Sequence, residues 1–142
     1  MSKEKTLEEW IEFYNRKCPE PFKRDEKFSL FFIPDKGFCE IRLTEKMVIG
    51  RAACGDIKFF RILIENIALI YHRDVAGTYC VRKILPYIRW AGFKVIATEG
   101  ESYLCEDKQT GQKARCSPVF ELANGEKLYL VTWRVKADEG DI

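Results

Sequence analysis

Apolar and polar positions alternate along this chain with two different periods, and the switches between them outline its elements. Leu7, Trp10, Ile11 and Tyr14 recur at helical spacing and fall on one face of an amphipathic helix. Thr6 followed by Glu9 supplies a capping box at its start. Cys18-Pro19-Glu20-Pro21 ends it, because proline lacks the backbone donor and turns the preceding residue away from helical geometry.

The period then shortens. The run FSLFFI at 28–33 is aromatic and β-forming, Pro34-Asp35-Lys36-Gly37 has turn chemistry, and Cys39, Ile41 and Leu43 alternate with Glu40 and Arg42. These spacings predict a hairpin, extended to a three-stranded meander by a strand over 47–53, in which Gly50 marks a bulge or a close backbone approach. Asp56 is placed to cap a second helix, where apolar residues from Ile57 to Ile70 occupy most of the circumference. Lys58, Arg61, Glu65 and His72 fall along one edge of that helix, predicting a narrow polar stripe with the other faces buried beneath a sheet. His72, at the apolar helix's end, reads as a C-terminal boundary residue.

Further along, the pattern predicts a strand over 77–81 and a short helix over 84–91, with Pro86 in its first turn and Gly92 as its stop. Strands over 94–98 and 103–106 follow, then a turn at Lys108-Gln109-Thr110-Gly111. A terminal hairpin over 119–122 and 127–135 is built around Asn124-Gly125, the strongest short hairpin signal in the chain. The fold class expected is α+β: one domain over 1–142, with a core at 1–106, appended strands at 107–135, and a frayed acidic tail at 136–142.

Composition narrows the functional classes. The 142 residues carry 24 Lys and Arg against 22 Asp and Glu, a formal net charge of +2, with both signs interspersed. That balance argues against a dedicated nucleic-acid binder. Residues Arg82, Lys83, Arg89 and Lys94, with Tyr87 and Trp90, make a modest basic and aromatic cluster that reads as a rim around an apolar helix. Neither a secretory leader nor a membrane-spanning apolar run is evident, so a cytoplasmic protein without membrane contact is expected. The six cysteines form no C-x-x-C pair and the single histidine is His72, so no metal is expected and the cysteines read as buried hydrophobes or free thiols. Phosphate-binding, dinucleotide-binding and zinc-protease motifs are missing from the sequence.

Helix, three-strand meander, buried helix, strand, short helix, strand and strand is an order that resembles the core of the GNAT (acyl-CoA N-acyltransferase) superfamily. The likeness covers roughly residues 6–106 and is similar to that of the short GNAT-like proteins encoded by some bacteriophages and mobile elements. Its most specific stretch is Tyr87-Ile88-Arg89-Trp90-Ala91-Gly92-Phe93, similar to the family's aromatic-x-x-x-Gly-Phe helix ending.

The resemblance implies acetyl-CoA held by Arg51-Ala52-Ala53-Cys54-Gly55-Asp56, where a strand hands over to the buried helix and helix N-terminal amides receive pyrophosphate. Arg51 fits the family's first position, while Cys54 stands for its first glycine, Gly55 is one place late, and Asp56 takes the last small position. The resemblance also implies a tyrosine acid for the leaving thiolate; Ile88 holds the matching place and Tyr87 lies one residue earlier. Glu40, Glu45 and His72 are candidate bases. Two functions follow as expectations: an N-acetyltransferase acting on an amine or protein substrate, or a non-catalytic GNAT-shaped interaction protein that has lost the coenzyme and forms an oligomer or protein complex.

Overall fold

The structure is a computed structural model that describes residues 4–81 and 83–135. The acidic tail expected after Lys136, and Arg82 of the basic cluster, lie outside the described residues. Helix α1, Leu7–Lys17, begins as its sequence dictates: Thr6 Oγ1 accepts from the Glu9 amide at 3.1 Å, and Glu9 Oε1 accepts from the Thr6 amide at 2.9 Å. Its apolar stripe buries Trp10 and Tyr14, and Trp10 Nε1 donates to the carbonyl of Pro34 at 2.9 Å.

Strands β1 (Ser29–Ile33), β2 (Gly37–Leu43) and β3 (Met47–Gly55) form the expected antiparallel meander. Its bulge sits at Ala52 and Ala53 rather than at Gly50: pairing steps from Glu40↔Arg51 to Phe38↔Cys54, leaving one extra residue on β3, and Ala52 adopts φ 54°. Gly50 is instead the close approach, since a Cβ there would stand 2.6 Å from Ile64 Cδ1.

Helix α2, Ile57–Ile70, crosses to β4 (Val75–Cys80), which lies parallel to β3. Helix α3 (Ile84–Trp90), β5 (Phe93–Glu99), β6 (Ser102–Asp107), β7 (Lys113–Glu121) and β8 (Lys127–Arg134) complete the described chain. Gly92 ends α3 at φ 93°, a left-handed geometry glycine reaches without strain. His72 follows the cap residue of α2 at φ 58°, a boundary position as expected.

The eight strands form one mainly antiparallel sheet in the order β1-β2-β3-β4-β8-β7-β6-β5, which makes the fold α+β. The terminal hairpin is therefore not an appendage: β8 lies mid-sheet between β4 and β7. Val131 and Trp133 explain the placement, because both project into the core beneath α2 and α3 and both need cover. Strand β7 also starts earlier than its sequence indicated, at Lys113. Pro118 is tolerated because β6 pairs with β7 only as far as Cys116, so Pro118 lies beyond that ladder and beside a register shift.

Alternate strand residues feed two cores. On one face α2 and α3 cover Cys39, Val48, Ala76, Cys105, Val131 and Trp133; on the other α1 covers Phe38, Ala52 and Cys54. The expected polar stripe of α2 is corrected by this packing. Arg61 is only 6% exposed, whereas Ile62, Leu69 and Ile70 face outward, because the core offers Arg61 a carboxylate and the outer side of α2 has no element over it among the described residues.

Candidate functional site

Residues 51–56 are held by the hairpin turn beside them. Gly37 and Gly55 face each other so closely that a Cβ on either would run into the backbone of the opposite strand, at Cys54 and Lys36 respectively. The Asp56 amide donates to the Lys36 carbonyl at 2.8 Å and completes the clasp. Ala52 and Cys54 are buried under α1, with the Cys54 thiol 3.7 Å from the Trp10 carbonyl.

At the start of α2, Asp56 Oδ1 accepts from the Phe59 amide at 3.0 Å, and Oδ2 lies 3.7 Å from Lys36 Nζ. The carboxylate thus fills the position near the helix end where an anionic ligand would be received, and it adds a negative charge there. Arg51 points to the α1 face of the sheet, where it pairs with Glu40 and donates to the Lys23 carbonyl at 3.2 Å. Arg24 pairs with the other Glu40 oxygen, which also accepts from the Asp25 amide. Glu40, a candidate base, is fully buried between these two guanidiniums.

Tyr87 is turned into the core of the opposite face, its hydroxyl 3.2 Å from Thr78 Oγ1. Ala53 and Tyr87 line the same enclosed space, which has a volume of only about 10 Å³. The fold therefore brings these two expected site residues together but sends Arg51 and Cys54 to the other side of the sheet. Glu45 and His72 are exposed and far apart in the chain, one in the β2–β3 turn and one after α2.

Open hollows lie elsewhere among the described residues. Pairing between β3 and β4 stops at Gly50↔Thr78, although β3 runs on to Gly55 and β4 to Cys80. Beside this parting, on the face carrying α1, lies a cleft of about 610 Å³ lined by residues including Arg42, Arg51, Ile49, Tyr79, Leu128 and Phe120. Nothing in the local spacing marked it, since its walls come from strands distant in sequence. A second hollow of about 430 Å³ gathers Lys17, Pro19, Lys83, Pro86 and Trp90 between α1, α3 and the β7–β8 turn. Of the described members of the basic and aromatic cluster, Lys83 and Trp90 meet there, while Tyr87 is withdrawn into the core.

All six cysteines are buried. Among the described residues no three His, Cys, Asp or Glu side chains converge as a metal-binding group, and no helix is long and apolar enough to cross a membrane. Set against family models, curated proteins and solved structures, the chain matches none.

Proposed function

We propose that this chain is a non-catalytic binding module of GNAT-like arrangement, in which the coenzyme loop has become a helix cap and a hairpin clasp. The observation that carries this reading is the Asp56 carboxylate on the Phe59 amide, at the helix end where pyrophosphate would sit. The burial of Tyr87 against Thr78 supports it, because an acid for a leaving thiolate must reach the ligand. The module acts by contact, in an oligomer or protein complex that covers Ile62, Leu69 and Ile70 of α2 and Phe120 of β7, all of which are open to solvent. Buried cysteines such as Cys105 and Cys116, whose sulfurs stand 3.8 Å apart as thiols, fit a reducing compartment, so we place it in the cytoplasm.

One observation favours the second reading, an N-acetyltransferase that uses acetyl-CoA on an amine: β3 and β4 part beside the 610 Å³ cleft, leaving room for an extended ligand. Calorimetry and thermal shift with acetyl-CoA and longer acyl-CoA species separate the two. The binding-module reading expects no saturable heat and no shift, together with a defined assembly in light scattering or a specific partner in pull-down. Micromolar acyl-CoA binding overturns it.

A further inference from the structure

Cys105 on β6 and Cys116 on β7 bring their sulfur atoms to 3.8 Å within the core. Their Cα partners are Cys105↔Ala114 and Tyr103↔Cys116, so the two stand diagonally across neighbouring antiparallel strands with both side chains on the core face. Cys80 lies near Cys116, while Cys39 and Cys54 have different neighbours. Cys39 lies against the Glu40 and Arg51 carbonyls, and burial pushes it up to about 12; Cys54 lies against the Trp10 carbonyl. In the Cys105 and Cys116 pair, the hydrogen bond from Cys116 draws Cys105 below its ordinary 9.0, while the same bond and burial push Cys116 upward. Cys105 stands on the strand nearer the sheet edge, so it is the member that an entering oxidant meets first.

We propose that Cys105 and Cys116 are a modification site that closes to an intrachain disulfide when the folded chain meets a small-molecule disulfide. In the first step the Cys105 thiolate attacks the oxidant's S–S bond, joins one half as a mixed disulfide, and releases the other half, which takes up a proton as a thiol. Cys116, deprotonated by solvent as the pair is exposed, then attacks Cys105 Sγ and expels the second thiol. Two cysteines lose two hydrogens and the oxidant gains them, so atoms and electrons balance.

Access sets the rate. Both sulfurs are buried, but β6 is shielded on its outer side only by β5, an edge strand whose residues beyond Phe93 are all exposed. Opening of the β5–β6 hairpin admits the oxidant. Diagonal positions are wider apart than directly opposed ones, so closure needs a small backbone adjustment and yields a bond that thiols reduce readily. Once formed, it ties β6 to β7 and fixes the strand that ends at Asp107.

The test is incubation of the full chain with oxidised glutathione, with far-UV circular dichroism confirming that it stays folded. Alkylation without reduction and tryptic mapping then locate the bond. The expected product has lost two hydrogens, links the Cys105 and Cys116 peptides, melts at a higher temperature than the reduced chain, and reverts with dithiothreitol. Cys80→Ser leaves this product unchanged, whereas Cys116→Ser stops at glutathione on Cys105. Six alkylated cysteines after prolonged oxidation of the folded chain, or a bond that joins a different pair, overturns the proposal.

Discussion

Arg61 Nη1 and Asp107 Oδ2 meet at 2.5 Å inside the core and join the middle of α2 to the end of β6. The same guanidinium donates to the Ala91 carbonyl at 2.8 Å and to Gln112 Oε1 at 2.9 Å, and lies 4.0 Å from the centre of the Phe93 ring. Asp107 in turn accepts the amides of Gln109 and Thr110 at 2.8 and 2.9 Å, which shapes the turn into β7. One buried ion pair thus connects α2, the end of α3 and two strands.

Removing the cation leaves a carboxylate uncompensated in the core. Arg61→Met is expected to cost about 3–5 kcal/mol of stability, whereas Arg61→Met combined with Asp107→Asn recovers part of that loss, because the Asp107 charge is then removed and only Glu65, 3.4 Å from the guanidinium in the parent, is left without its partner. Urea unfolding of the two variants checks the order. A single variant as stable as the parent would show that the pair contributes nothing.

Asp107 also predicts an acid limb. Burial by itself raises its pKa, but the Thr110 amide, the Arg61 guanidinium and the Gln109 amide hydrogen-bond to the ionised form, and with the Arg61 charge they hold it at about 2 against its ordinary 3.8. A carboxylate lowered on folding stabilises the protein above its unfolded pKa, and the contribution fades as pH falls through the folded one. The window is therefore between about 4 and about 2, and the stability at stake is roughly 2 kcal/mol. Thermal unfolding against pH is expected to steepen there in the parent and to be shallower in Asp107→Asn.

This pair also shows where the sequence stops being informative. Features fixed within a few residues were legible: the Thr6 and Glu9 capping box, the Asp56 cap, the alternation in β2 and the Gly92 stop. Arg61 was misplaced because helical spacing groups residues by face without saying which face meets a partner, and its partner lies 46 residues away. Strand β8 was misplaced for the same reason. Asn124-Gly125 fixes a turn, but the pairing of β8 with β4 is settled by which side chains, Val131 and Trp133 above all, find cover. The candidate site was legible as a segment and not as a surface: residues 51–56 do open α2, yet only the fold reveals that a bulge at Ala52 and Ala53 divides them between opposite faces.

Asp56 caps α2 at the helix end that an anionic ligand would need, and its removal separates the two effects. Asp56→Ala loses the cap on the Phe59 amide and is expected to lower stability by about 1 kcal/mol. Because the Gly37 and Gly55 clasp and the Lys36 contact to the Asp56 amide are backbone features, the variant keeps its fold, with α2 now opening on amides free of a carboxylate. If that carboxylate is what excludes an anion, Asp56→Ala gains measurable affinity for acetyl-CoA or pyrophosphate that the parent lacks, and the gain falls with rising salt. Equal silence in both chains, by calorimetry on protein shown to be folded, would mean that the clasp and buried Cys54 close the site without help from Asp56.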